Sequence, residues 1–351
     1  MIHKEVKYAF ADIVMLPAVL SPISSRDQCD VLDASGMLPL ITSPMYSVVD
    51  DKNISMFTSQ KIYGAYPRGS TITTPIQNTF VAYGINEFEN KYILKGRLKE
   101  VTPETPHYVM IDIANGHMER LTRLIKTARR MNYGDKELIL MVGNIAHPKT
   151  YQNLANSGAN YVRLGVGSGS ACLSSANCSV HYPMASLLDE CNTIKEQEGL
   201  TAKIVADGGF KNFDEIIKAL GLGADLVMCG SLFNKALESA GKTQVKGSNC
   251  VVDQYSDEIK RSFKSGLELT KEYYGMSTKR AQKEMGHELL KTSEGIAKIN
   301  PVCYTIEQWT ENFRHYFKSA MSYTGKRTLE DFIGGVDFQV ITPQAFQAFI
   351  K

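Results

Sequence analysis

Cys172 ends a block of closely spaced small residues, Gly165-Val166-Gly167-Ser168-Gly169-Ser170-Ala171-Cys172. Glycines at this density permit positive φ and close backbone approach, so amides or carbonyls can point at an anion or a cation. A thiol at the tip of such a loop becomes a nucleophile where electropositive surroundings lower its pKa. Alone, the block reads equally well as a glycine-rich turn with an incidental buried cysteine. Two more blocks end apolar runs, Ala206-Asp207-Gly208-Gly209 and Met228-Cys229-Gly230-Ser231. Their amides suit a phosphate and Asp207 suits ribose hydroxyls; turn glycines with a helix cap on Ser231 are the plainer account. Asp112-Ile113-Ala114-Asn115-Gly116-His117 ends a further run. Asp112 and Asn115 could hold a substrate or cofactor, but capping of the next helix explains them without chemistry, and His117 is expected on the helix surface.

These blocks need elements to position them. Short β-branched runs recur at 38–44, 61–66, 79–84, 107–114, 138–145, 161–166, 202–209 and 226–231. Amphipathic stretches separate most of them; 117–131 puts Leu121, Leu124, Ile125 and Ala128 on one face, and 182–197 and 212–220 read the same way. Eight strands alternating with helices predict an α/β fold, a (β/α)8 TIM barrel, with its site where the strands end and a phosphate subsite after strands seven and eight. The informative blocks fall after strands four to eight, as that fold requires. A doubly wound open sheet is the alternative, but no G-x-G-x-x-G follows an early strand. Residues 240–300 are polar and glycine-dotted, the pattern of a long mobile flap over a site, and 304–333 turn helical again to close the barrel. The expectation is one catalytic domain over residues 1–351.

Bulk properties narrow the class. A hydrophobic fraction of 43% and a charged fraction of 22% are those of an ordinary globular chain. With 39 basic and 37 acidic residues the net charge is only +2, so no nucleic-acid partner is expected. The run Lys126 to Arg130 reads as the solvated face of its helix. Seven scattered cysteines form no C-x-x-C pair, which argues against zinc and against a disulfide framework. No apolar run approaches the length of a membrane span and no signal peptide opens the chain, so a cytoplasmic location is expected.

Taken in order, the blocks resemble the inosine monophosphate dehydrogenase and guanosine monophosphate reductase family. The likeness runs from AFADIVMLP near the start to SAMSYTGKRTLEDF at 319–332, through GSGSAC, NCSVHYPMASLLDEC, IVADGG, GADLVMCGS and YYGMS. The resemblance implies addition of the Cys172 thiolate to C2 of a purine nucleoside monophosphate, a covalent route that divides one hard exchange into two easier steps. Three features are similar to the reductase rather than the dehydrogenase. About twenty residues separate each early strand pair, which leaves no room for the dehydrogenase's inserted regulatory domain. IDIANGH looks like the reductase form of the strand-four motif. The flap has no Arg-Tyr pair between Gly275 and Pro301 and ends in TSEG, where Glu294 matches the reductase's catalytic acid.

On that likeness the reaction is NADPH-dependent deamination of GMP to IMP, with Cys172, Ser174 and Glu294 as catalytic residues. Ser170, Gly208, Gly209, Gly230 and Ser231 would cradle the phosphate, Asp207 the ribose, and Gly275, Met276 and Ser277 the base edge. Asp112 and Asn115 would face the cofactor, with NADH or NAD as alternatives to NADPH. Carbonyls of Gly167, Gly169 and Cys172 would offer ligands to a monovalent cation, K+ or Na+. A homotetramer is implied by analogy. The chain also departs from the pattern. Ser174 stands for a threonine, Met45-Tyr46 for Met-Asp, and Ala65-Tyr66-Pro67-Arg68 where the reductase has a His-Lys pair. Those changes keep open a compact IMP dehydrogenase, forming XMP with NAD, or a relative acting on a modified purine nucleotide. A flavin-dependent barrel with FMN on the same phosphate loops and a non-catalytic nucleotide-binding protein are the rivals from other classes.

Overall fold

The computed structural model describes residues 3–70, 76–94, 107–131, 137–170, 172–286, 292 and 295–349. All eight expected strands form: β1 (Leu40–Thr42), β2 (Gly64–Tyr66), β3 (Thr79–Tyr83), β4 (His107–Asp112), β5 (Leu138–Ile145), β6 (Tyr161–Leu164), β7 (Lys203–Asp207) and β8 (Leu226–Cys229). From β2 to β8 each strand pairs in parallel with its sequence neighbour, and β8 returns to β1 with Leu40 opposite Val227. An Ile41–Tyr63 bridge joins β1 to β2, the Tyr63 amide donating to the Leu40 carbonyl at 2.9 Å. The sheet therefore forms the ring of an α/β (β/α)8 barrel.

Strand alternation divides the barrel's side chains between two cores. One set turns inward and fills the ring: Ile41, Tyr63, Ala65, Phe80, Ala82, Met110, Met141, Tyr161, Val205, Leu226 and Met228. Phe80 anchors it with edge-to-face contacts to Tyr108 and Tyr161. The alternate positions, such as Val109, Val162, Leu164, Ile204 and Val227, point outward and pack under the helices.

Helices α1 (Glu119–Arg130), α2 (Pro148–Asn156), α3 (Met184–Glu198) and α4 (Phe213–Gly221) follow strands four to seven. In α1 the four apolar residues read from the sequence are the buried ones. The basic run on α1 is not wholly solvated: Arg129 donates to the carbonyls of Leu138 and Gly158, bracing β5 against the turn before β6. Helix α5 (Ile306–Thr324), begun by a Thr305/Gln308 capping box, closes the shell through a Phe213–Trp309–Phe313 ring stack.

The segment after β8, expected as a flap, has secondary structure of its own. It carries an antiparallel sheet in the order Val251–Val252, Thr243–Val245, Leu269–Tyr274 and Ala297–Pro301, with a small apolar cluster around Leu237, Leu269 and Val302. At its root the buried Lys271 ammonium donates to the carbonyls of Ala236, Leu237 and Ser239. Among the described residues no helix is long and apolar enough to cross a membrane.

Candidate active site

Two residues beyond an inward apolar position, three of the strands place a charged one at the barrel mouth. Met110 is followed by Asp112, Tyr161 by Arg163 and Val205 by Asp207. Arg163 links the carboxylates, with Nη1 at 2.6 Å from Asp112 Oδ1 and Nη2 at 2.7 Å from Asp207 Oδ2. Gly143 makes room for it, because a Cβ there would lie 2.7 Å from that of Arg163. Asn144 completes the group, its Nδ2 donating to Asp207 Oδ2 at 2.5 Å and to the Gly165 carbonyl at 3.0 Å.

Burial alone would raise the pKa of Asp112, but Arg163 and Arg68 outweigh it and hold the carboxyl below its usual value. Burial pulls the other way on Arg163, and Asp207 and Asp112 together push its pKa up, so it stays charged. Arg68 approaches Asp112 with Nε at 3.4 Å from Oδ2, beyond hydrogen-bond geometry, and its own carbonyl accepts the Tyr46 hydroxyl. The buried Nε of Arg68 has no hydrogen-bond partner among the described residues.

The loop after β6 presses on the loop after β7. Gly167 has φ +72°, and a Cβ on it would lie 2.5 Å from the Ser175 amide nitrogen. Gly209 has φ +89°, and its Cβ would meet the Ser168 carbonyl at 2.7 Å. Only glycine suits both the backbone twist and the approach. Ser168 Oγ fastens the two loops, donating to the Asp207 carbonyl at 2.8 Å.

Cys172 is half-buried at the end of the β6 loop, its amide bonded to the Gly169 carbonyl at 2.9 Å and its backbone bridged antiparallel to Gly295. It lines a cavity of about 220 Å³ shared with Asp112, Arg163, Asp207 and the Gly275-Met276-Ser277 turn. A second cavity of about 80 Å³ adjoins it through Ser43, Met45, Gly169, Asp207 and Tyr273, and is lined by Ser170, Gly208, Gly209, Gly230 and Ser231. The amides of Gly208, Gly209 and Ser231 find no protein acceptor among the described residues. A larger open groove of about 670 Å³ follows the excursion sheet past Tyr46, Tyr255 and Glu284, but contains neither Cys172 nor the glycine pairs.

Most of the expected site residues thus converge. Asn115 does not join them: it is exposed and its Oδ1 accepts the His117 amide at 3.1 Å, while His117 accepts the Ala146 amide at 3.0 Å. Both precede α1 rather than lying on it. The carbonyls of Gly167 and Gly169 each already accept one bond, from Ser175 Oγ and the Cys172 amide. Glu294 lies outside the described residues, as does the side chain of Ser174, whose backbone opens the helix Ser174–Cys178. Sequence reasoning missed Arg163, Asn144 and Tyr273. The first two were visible as single polar residues inside the apolar runs YVRLGV and LILMVGNI. Tyr273 offered no such signal. Its pKa is pushed up to about 12 by burial first and by Asp207 next, against a lowering bond from Ser170.

A barrel whose strand ends gather a thiol, a carboxylate–guanidinium ring and two glycine loops is a nucleotide-handling enzyme in form. The IMP dehydrogenase / GMP reductase domain model matches residues 76–348, and the chain belongs to that family of oxidoreductases. It is 30% identical to the GMP reductase of Caenorhabditis elegans over 72% of this chain and 65% of that protein, so it spans just under two thirds of that relative's length. Mouse GMP reductase 1 is 25% identical over 98% of this chain and 97% of its own, and the Oceanobacillus iheyensis GMP reductase 25% identical over 97% of both.

Proposed function

We propose that this chain catalyses the NADPH-dependent reductive deamination of GMP to IMP through a covalent bond between Cys172 and C2 of the purine. The observation that carries this reading is the cavity that Cys172 shares with Asp112, Asp207 and the Gly275–Ser277 turn, opening onto a pocket lined by unbonded amides. Relatives named GMP reductase that align along nearly the whole chain support it.

The amides of Gly208, Gly209 and Ser231 bind the 5′-phosphate, with the remaining lining from Ser170 and Gly230. Asp207 has one carboxylate oxygen committed to Arg163 and Asn144, which leaves Oδ1 for the ribose hydroxyls. Backbone groups of Met276 and Ser277 take the base edge. Cys172 then adds through sulfur to C2, the C2–N bond breaks, and ammonia leaves with a proton delivered through Ser174 and Glu294. When bound, the nicotinamide cofactor supplies the hydride that C2 gains as the C2–S bond breaks. On its side of the cleft Asp112 is fixed by Arg163, and the unsatisfied Arg68 Nε is a donor for one of its polar groups. NADPH rather than NADH, a K+ or Na+ ion on the second lone pairs of the Gly167 and Gly169 carbonyls with Cys172, a homotetramer and a cytoplasmic setting complete the reading.

A modified purine nucleotide is the second reading. The Tyr46–Arg68 pair favours it, because a guanidinium lines the cleft where the reductase pattern has other residues.

The test is to incubate the protein with GMP and NADPH and measure ammonia release together with cofactor absorbance. Glu294→Gln should slow deamination about 10²–10⁴-fold while hydride exchange between the cofactor and IMP suffers much less. Oxidation of IMP to XMP without any ammonia from GMP would replace the reductase with the compact dehydrogenase.

A further inference from the structure

The strand Ala297–Pro301 pairs antiparallel with Leu269–Tyr274, which sets Lys298 opposite Tyr273. From that register Lys298 reaches across the neighbouring ring, with Nζ 5.4 Å from the Tyr273 centroid, and donates to the Ser170 carbonyl at 3.2 Å. Ser170 and Tyr273 both line the small cavity, and a Cβ on Gly230 would lie 2.9 Å from the Tyr273 hydroxyl, so Lys298 contacts two residues of that cavity's lining. Its ammonium forms no ion pair among the described residues. Lys235, in the turn after β8, is likewise without one, and it lies close enough that, after burial, it is the second cause lowering the pKa of Lys298. Lys298, a part-buried cation without a counter-ion, thus lies behind the lining of a pocket whose own amides lack acceptors, and Lys235 follows four residues after Ser231 of that lining. That combination is unfavourable when the pocket holds only water and is relieved by a dianion.

We propose that Lys298 is a phosphate-binding residue, contributed by the excursion sheet, that recognises the nucleotide's 5′-phosphate as a point charge with Lys235 as its outer partner. The proposal rests on the reading that the 80 Å³ cavity takes the phosphate. It adds a consequence which the glycine loops alone do not have. The strand bearing Lys298 begins just after Gly295, whose backbone bridges Cys172. Phosphate occupancy therefore pulls on the same strand that holds the nucleophile's loop. A nucleoside without phosphate fills the base pocket and leaves that strand unattracted.

Isothermal titration of the full chain with GMP, guanosine and inorganic phosphate tests this, with Lys298→Met, Lys298→Arg and Lys235→Met beside the wild type. Lys298→Met should weaken GMP and inorganic phosphate about tenfold, the order of one charge-assisted contact at a part-exposed site. Guanosine affinity should stay within about twofold, Lys298→Arg should restore most of the GMP affinity, and Lys235→Met should give a smaller loss in the same direction. In turnover, KM for GMP should rise more than kcat falls. Equal losses for GMP and guanosine would reduce Lys298 to a structural residue, and unchanged GMP affinity would also overturn the proposal. Wild type that binds guanosine as tightly as GMP would overturn the phosphate reading itself, a result read without any variant. Thermal melts close to wild type show that the variants are folded; should Lys298→Met fail to fold, the Lys298→Arg and Lys235→Met titrations decide.

Discussion

Two storeys of the same barrel differ by one step of the strand period. The lower storey holds Met110, Tyr161 and Val205 in the cluster around Phe80, and its polar contacts are few: Met110 sulfur accepts from Arg163 at 3.2 Å, and the Lys203 ammonium lies over the Tyr161 ring. The upper holds Asp112, Arg163 and Asp207, joined by two ion pairs and closed by Asn144. Backbone, direction and neighbours are shared, so the difference is in what the side chains lack. Below, the residues pack mainly on other apolar side chains; above, each strand ends at the cleft. The lower storey therefore supports a tight apolar fill, and the upper must satisfy charges among themselves while leaving some donors and acceptors open. The contrast teaches that stability and chemistry are separable here by position along each strand.

The largest expected effect breaks chemistry without touching either storey. Cys172→Ala should abolish turnover while GMP affinity stays within a few-fold, because the phosphate and ribose contacts lie on other loops; comparable turnover in the variant would remove the covalent route. Next comes the upper storey. Arg163→Met leaves Asp112 and Asp207 buried without their shared cation and should destabilise the fold by about 3–5 kcal/mol, measured by denaturant unfolding. The sign with pH follows from the linkage. In wild type the lowered pKa of Asp112 contributes stability above the ordinary carboxylate range and loses it as pH falls through the depressed folded value. In the variant that carboxyl favours its protonated form, so the deficit relative to wild type should shrink from about pH 7 to about pH 4. A deficit that widens on acidification would mean that the ring is not the source.

In the lower storey, Phe80→Ala removes a fully buried ring between Tyr108 and Tyr161 and should cost about 3–5 kcal/mol, without the pH dependence of the Arg163 variant. Matching pH profiles for the two would erase the distinction between storeys. The smallest effect lies outside both. Arg123→Ala on α1 breaks an exposed pair with Glu119 and should change stability by less than about 0.5 kcal/mol.

Much of this was open to reading along the chain. Period-two apolar runs and amphipathic helices are local patterns, and the eight strands and α1 follow from them residue by residue. The glycine blocks announced where backbone must twist or approach closely, and Gly167 and Gly209 do both. The excursion was harder. Its polar, glycine-dotted pattern suggested a long flap but not the sheet within it, which depends on Leu269–Tyr274 pairing with residues on both sides in sequence and on Lys271 reaching three carbonyls behind it.

What the sequence determined by itself was the kind of each element, the order of the blocks along the barrel, and the thiol, carboxylate and glycine types available at the strand ends. These depend on interactions between residues a few positions apart, and a string of residue types records them. Only the tertiary structure decided that Arg163 would join Asp112 to Asp207, that Asn115 would turn back to cap His117 while Asp112 entered the cleft, and that Lys298 would lie against Ser170 from the far side of the excursion. Each of those depends on strand stagger around the ring and on register between distant segments. Such distances are set by how the whole barrel closes and packs, and no spacing along the chain encodes them.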